Sequence, residues 1–302
     1  MLGLYFAFFW LVMDSYELLK KIKLTGILFF LIALPVLTAG QARSAYIFAG
    51  IGNDGYFPDA QGLSTALLET SGWNGTGNNY LHEDLSGTEI KNFIIGFQTI
   101  LRPDDTLVWF YSGHGGALND ADGDETASGS FAADDFDETV GLVNQRDQLS
   151  DDDLGRAFSA LTAATGSRII TIFDSCYAGG FIGGTSDLNN VPGLVFLGSS
   201  AEDEDSYRYS DHPYSIFTQG LIDGLKNLQA DSDENGILLA EEWFDFAADY
   251  TLGMVNNQHP VFRGDVDMIL INQTAVPLPD SLWLLGLGIV SLMVVRRSRQ
   301  VI

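Results

Sequence analysis

Two kinds of hydrophobic pattern alternate along most of this 302-residue chain. One is a short, unbroken apolar run closed by glycine or serine: "SAYIFAGIG" at 44–52, "DTLVWFYSGHGG" at 105–116, a run at 168–173 inside "SRIITIFDSCYAGGFIGG", and "GLVFLGSS" at 193–200. The other repeats apolar residues every three or four positions. It covers "DAQGLSTALLETSGW" (59–73), "GTEIKNFIIGFQTIL" (87–101), "DDDLGRAFSALTAA" (151–164), "SIFTQGLIDGLKNLQA" (215–230) and "AEEWFDFAADYTLGMV" (240–255). The first pattern predicts buried strands and the second amphipathic helices. Asp151 is expected to cap the third helix, with acids in its first turn. A final strand is expected in "HPVFRGDVDMILIN" (259–272). Continuous apolar strands alternating with amphipathic helices define an α/β fold, a parallel sheet covered on both faces. In such sheets the ligand crevice lies off the carboxyl ends of the strands.

The ends break the pattern. Residues 20–42 carry Lys20, Lys21 and Lys23, then an apolar run from Ile27 to Leu37, then Ala39 and Ala42 as small residues before a cleavage. That is the layout of a secretory signal peptide, and the run is short for a permanent span. Met13 makes a more ordinary start for it than Met1. At the other end, Pro277 and Pro279 precede an apolar stretch from Leu282 to Val295 and a basic tail at Arg296, Arg297 and Arg299. A plain membrane anchor held by cytoplasmic arginines is one reading of that end. Three regions follow: an N-terminal address at 1–42, a globular domain at 43–272, and a C-terminal segment at 275–302.

Charge narrows the partners. Residues 43–275 hold nine Lys and Arg against 37 Asp and Glu, a net of −28. Such a surface repels nucleic acid and anionic headgroups and attracts cations or basic peptides.

The chain has one cysteine, Cys176, at the mouth of a strand. A lone cysteine is ordinarily a small buried hydrophobe. In an exported protein a single unpaired thiol points instead to reactivity. His114, 62 residues earlier, ends another apolar strand, so the parallel sheet presents both on one edge. A thiolate is the nucleophile, and a nearby imidazole either holds it as an ion pair or protonates a leaving amine. Glycines flank both residues, and the N–H groups of Gly115 and Cys176 are natural oxyanion donors. Asp174 lies two residues before Cys176, on the same side of the strand. A carboxylate there favours Lys or Arg in the specificity pocket and repels Asp.

"WFYSGHGG" and "TIFDSCYAGG" resemble the two signature strands of the caspase-like (clan CD) cysteine peptidases, most closely the bacterial metacaspase type. The resemblance covers roughly residues 44–270. It implies the caspase–haemoglobinase fold, a six-stranded, mostly parallel sheet between helices, and endopeptidase activity with His114 and Cys176 as the dyad. It implies Asp174, Ser112 and, on a loose alignment, Asp59 as the groups that bind a basic residue. The acidic segment 119–130 resembles the one that follows the family's histidine. The run Asp151 to Asp153 resembles its calcium-activating aspartates, whereas a further family ligand position is Gly183 here. The C-terminal layout resembles the PEP-CTERM sorting signals of Gram-negative bacteria, which implies an exosortase-type partner and exposure at the periplasm or outer surface, or secretion.

"DSDENGILLAEE" (231–242) fits the calcium loop D-x-[DN]-x-[DN]-G-x5-E at every defined position. Asp231, Asp233 and Asn235 would supply side-chain oxygens, Ile237 a carbonyl and Glu242 a bidentate carboxylate, with Gly236 for the turn. Between Tyr177 and Tyr207 there is no Lys or Arg, so an enzyme that prefers basic residues is expected to remain one chain. His82, His212 and His259 have no comparable context and are expected at the surface or in packing. Two other functions stay open at this point: a non-catalytic calcium-binding surface protein on the same fold, and a related peptidase with Asn or Asp specificity.

Overall fold

A computed structural model describes residues 45–73, 75, 80–119, 123, 136–141 and 147–273. The N-terminal address, most of the acidic segment 119–130 and the C-terminal segment lie outside these residues.

Six strands form one sheet in the order β10-β8-β7-β3-β1-β2. The central four are the glycine-closed apolar runs: β1 (Tyr46–Gly52), β3 (Thr106–Ser112), β7 (Arg168–Asp174) and β8 (Leu194–Gly198). They run parallel to one another. The short β2 (Tyr80–Glu83) adds a parallel edge, and β10 (Val261–Arg263) an antiparallel one. This is the six-stranded, mostly parallel sheet expected for a caspase-like fold.

Strand periodicity sends successive side chains to opposite faces, and two cores result. Ile47, Ala49, Leu107, Trp109, Tyr111, Ile169 and Phe173 pack on one face under α2 (Gly87–Gly96) and α3 (Asp151–Thr165), through Ile90, Ile94, Leu154 and Phe158. Phe48, Val108, Phe110, Ile170 and Ile172 pack on the other. That face is covered by α1 (Phe57–Glu69), α4 (Ile216–Leu225) and α5 (Ala240–Met254), through Leu63, Leu67, Phe217, Leu221 and Trp243. Apolar runs buried on both sides leave no polar alternation to read, which is why these strands appear as continuous hydrophobic stretches.

Several expectations are corrected. The run 105–116 is not one strand. It ends at Ser112, and the chain turns at His114 into β4 (Gly115–Asn119), which pairs with β5 (Phe136–Val140) in a separate antiparallel sheet completed by β6 (Leu149–Ser150). The cap of α3 is Ser150, whose hydroxyl accepts from the Asp153 N–H, and Asp151 is already inside the helix. The final strand divides into β10 and β11 (Ile269–Asn272), and β11 pairs with β9 (Ile237–Leu239) instead of joining the main sheet. Gly264, with φ +131, stands between the two pieces, a conformation that favours glycine.

Candidate active site

Register decides what meets at the carboxyl edge. Gly52, Ser112 and Asp174 are direct partners across β1, β3 and β7. His114 and Cys176 each follow two residues after the end of a strand, β3 and β7, and those strands are neighbours. Gly115 packs directly against the Cys176 segment, because a Cβ added there would lie 1.9 Å from the Cys176 carbonyl oxygen. Only glycine fits that approach.

The thiol is half-buried and His114 is exposed. Cys176 Sγ donates to the Ser206 carbonyl at 3.9 Å. Burial pushes the thiol up from its ordinary range, and Asp205 and Asp174 add to this. The imidazole of His114 meets the ring of Tyr56 edge-on, at 5.8 Å between centroids. The Tyr56 phenol is likewise pushed up, first by burial and then by Asp174 and Cys176. Tyr56 therefore stands between histidine, thiol and pocket, and the Arg208 guanidinium lies over its ring at 5.4 Å.

Close to Cys176 lie two buried carboxylates. Asp174 is 2% exposed and Asp59 is fully buried. Asp59 Oδ2 accepts from the hydroxyls of Ser112 and Ser215, both at 2.6 Å, and Oδ1 from the Ser215 N–H at 3.1 Å. Asp174 Oδ2 accepts from the Thr218 hydroxyl at 2.6 Å and its N–H at 3.0 Å, and Oδ1 from the Ser206 hydroxyl at 2.7 Å. Burial pushes Asp174 up to about 6, with the Asp59 charge adding to it. Asp59 is also raised by burial, opposed by the Ser112 and Ser215 bonds. The structure thus brings together all three residues expected to bind a basic side chain: Asp174, Ser112 and Asp59. Ser206, Ser215 and Thr218 were not legible in the sequence, since a serine or threonine carries no signal until the fold closes it against a carboxylate.

Two acidic clusters lie away from the dyad. In the loop 231–242, carboxylate oxygens of Asp231, Asp233 and Glu242 come within 4.8 Å of one another. Gly236 takes φ +79, and the loop's β9 is braced by β11. Asn235 directs its amide oxygen to the Ile237 N–H at 2.7 Å and its Nδ2 to Asp233 at 2.7 Å. The donor set and turn fit a hard divalent cation. The Ile237 carbonyl is placed by backbone alone.

The run 151–153 does not act as a unit. Asp151 is fully buried and is pushed up to about 10, by burial and then by Asp187, with Glu138 adding to it. Asp153 points outward to Lys91 at 3.1 Å and Arg156 at 3.3 Å. Asp187 is 1% exposed and accepts from the Gly184 N–H at 2.6 Å. It brings a carboxylate toward Asp151 that Gly183 cannot supply. The close quarters depend on two glycines, since a Cβ on Gly180 would lie 2.0 Å from Glu138 and one on Gly155 1.9 Å from the Ser186 carbonyl. Neither Glu138 nor Asp187 was singled out from sequence. Of the other histidines, His82 packs against Phe93 at 4.5 Å, while His259 binds Glu204 through Nδ1 at 2.5 Å.

A six-stranded, mostly parallel α/β sheet with a cysteine and a histidine after the ends of adjacent strands is consistent with a caspase-like fold. The comparisons narrow this further. Residues 59–184 match the family described as metacaspase, peptidase C14 domain, and residues 275–299 match the PEP-CTERM protein-sorting motif. Metacaspase-1 of Scheffersomyces stipitis is 31% identical over 134 residues, covering 41% of this chain and 31% of the relative. Metacaspase-1 of Schizosaccharomyces pombe is 26% identical over 163 residues, covering 53% and 29%. The chain thus spans less than a third of the length of these relatives. The crystal structure of protein GSU0716 from Geobacter sulfurreducens matches with a TM-score of 0.52 at 17% identity, over 77% of this chain and 100% of that one, which is a likeness of fold. Residues 59–184 are thus similar to the metacaspase peptidase C14 family. Ser206, Ser215 and Thr218 lie beyond the matched stretch. Among the described residues no helix is long and apolar enough to cross a membrane.

Proposed function

We propose that this protein is an exported cysteine endopeptidase that cleaves after Arg or Lys. The observation that carries the specificity is the pair Asp59 and Asp174, two buried carboxylates fixed by hydroxyl and backbone donors beside the thiol. Two like charges in one pocket disfavour each other's ionisation. A guanidinium or ammonium entering it relieves both repulsion and desolvation, whereas an Asp side chain is repelled and an Asn gains no charge pairing. The reading with Asn or Asp specificity is therefore set aside.

The chemistry assigned to the dyad is acyl transfer. Cys176 Sγ attacks the scissile carbonyl, and a C–S bond forms as the thiol proton passes to His114. The tetrahedral oxyanion lies toward the backbone N–H groups of Gly115 and Cys176. Collapse breaks the C–N bond, and His114 gives its proton to the leaving amine. Water then attacks the thioester with His114 as base, which releases the acid and restores the thiol. His114 is assigned as the base that takes the thiol proton.

Calcium is assigned to the loop Asp231, Asp233, Asn235, Ile237 and Glu242, as a stabilising and modulating ion. The Asp151, Asp187 and Glu138 carboxylates form a second, buried acidic cluster whose charges act on one another. The PEP-CTERM match supports export and handling by an exosortase-type partner, with periplasmic or surface exposure in a Gram-negative host.

The test is hydrolysis of a fluorogenic peptide panel differing only before the scissile bond, by the wild type and Cys176→Ala. Cleavage after Arg and Lys, lost in Cys176→Ala, supports the reading. Cleavage after Asp or Asn overturns the pocket. No cleavage, together with no labelling by a thiol-reactive peptidyl inhibitor, favours the non-catalytic calcium-binding protein.

A further inference from the structure

Gln258 belongs to neither signature strand and lies beyond the stretch 59–184, yet its whole side-chain amide is directed at the cleft. It is fully buried. Its Oε1 accepts from the Tyr207 N–H at 3.1 Å. Its Nε2 donates to the Ser199 carbonyl at 2.9 Å and to the Ser206 hydroxyl at 3.2 Å. The next residue completes a bracket, with the His259 N–H donating to Glu204 Oε2 at 2.6 Å. The carbonyl of Glu204 in turn accepts from the Tyr177 N–H at 2.8 Å, immediately after the nucleophile. Residues 204–207 are thus held from behind by Gln258 and His259, and their front meets Cys176 and Asp174.

We propose that Gln258 is a positioning residue of the peptidase cleft, acting through Ser206 on both the specificity carboxylate and the nucleophile. The argument is one of hydrogen-bond direction. An ionised carboxylate only accepts, so the single proton of the Ser206 hydroxyl must go to Asp174. That hydroxyl then needs a donor at its own oxygen, and Gln258 Nε2 is that donor. The chain from Gln258 N–H through Ser206 O–H to the Asp174 carboxylate runs one way and favours the ionised form of the acid. The Ser206 hydroxyl does lower the proton affinity of Asp174, against the burial that raises it. The same residue offers its carbonyl to the thiol, so its orientation sets both contacts. The bracket requires a donor and an acceptor on one long neutral side chain, which is glutamine's inventory. The inference rests on the basic specificity proposed above.

The experiment compares Gln258→Met, similar in length but without the amide, with Ser206→Ala and the double variant, in the full chain. Three readouts are taken: KM and kcat on Arg and neutral peptides, the pH dependence of kcat/KM, and the pH dependence of Cys176 alkylation by iodoacetamide. We expect kcat/KM on the Arg peptide to fall about tenfold to a hundredfold in Gln258→Met, chiefly through KM. Its acid limb moves to higher pH, and the double variant is no worse than Ser206→Ala, as for residues acting as one unit. A folded Gln258→Met with unchanged KM and acid limb, or losses that simply add, overturns the proposal. Should Gln258→Met fail to fold, an unmoved acid limb in Ser206→Ala overturns it equally. If the wild type cleaves no Arg peptide, the functional reading fails. The alkylation profile then decides about Gln258, and a profile identical in wild type and both single variants overturns the positioning role.

Discussion

Asp59 and Asp174 are buried carboxylates whose charges act on one another, one from helix α1 and the other from the end of strand β7, and the Ser112 hydroxyl of β3 donates to Asp59. Because burial and the Asp59 charge push Asp174 up to about 6, the pocket loses its negative charge within an accessible pH range. For peptides with Arg before the scissile bond, kcat/KM is expected to fall as pH drops through about 6. A neutral side chain at that position does not report this limb. Asp174→Asn is expected to lower kcat/KM for Arg about a hundredfold or more, since a buried charge pair loses one partner, and to remove the limb. The folded-state pKa lies above the ordinary 3.8, so the contribution of Asp174 to stability is full below the ordinary value and is lost as pH rises through about 6.

Asp205 sits between two residues that hold the Cys176 segment: the Glu204 carbonyl accepts from the Tyr177 N–H, and the Ser206 carbonyl accepts from the thiol. Its negative charge helps to hold the thiol protonated. Asp205→Asn is therefore expected to lower the thiol pKa, so that the pH profile of Cys176 alkylation moves to lower pH. A profile that stays in place, or moves up, contradicts the assignment of that charge.

His114 and Gly115 divide chemistry from shape. His114→Ala removes the proton carrier and is expected to cost kcat about 10²–10⁴-fold, while Cys176 remains open to alkylation. Gly115→Ala acts differently, because its new Cβ would press on the Cys176 carbonyl. Overpacking against backbone typically costs about 1–3 kcal/mol. That variant is expected to lower the melting temperature and to slow turnover even though every titratable group is kept.

The four central strands, and the placing of His114 and Cys176 on one edge, were legible because sequence encodes them locally: apolar runs close on glycine, and parallel strands share a carboxyl edge. The edge strand β2 was not, since its four residues are at most half-buried and carry no run. The β4–β5 ladder was hidden inside an apparent continuation of β3, because a turn at His114 changes sheet without changing composition. Ser215 lies 156 residues from Asp59, and Thr218 lies 44 from Asp174. These uncharged donors gain a role only when distant segments close on a buried carboxylate. Asp187 shows the same limit from another side: its charge acts on Asp151 through a loop whose path the sequence does not state.

The loop 231–242 makes the metal reading measurable without any assay of activity. Its carboxylates converge within 4.8 Å, and Glu242, the last of the proposed ligands, is also the residue whose carboxylate accepts the Leu239 N–H at the start of α5. An ion that binds only the folded chain adds about 2.7 kcal/mol at a hundred times its Kd, and a domain of this size gains about 2–4 °C per kcal/mol. Calcium is therefore expected to raise the melting temperature by several degrees over the same protein in chelator, and Glu242→Gln to remove most of that gain. The capping bond to Leu239 survives in Glu242→Gln, because a glutamine oxygen still accepts. A loss of response in this variant then speaks for the ion and not for the helix end. A calcium response equal in wild type and Glu242→Gln would move the ion to the buried carboxylates around Asp151, where Asp187→Asn is the corresponding variant.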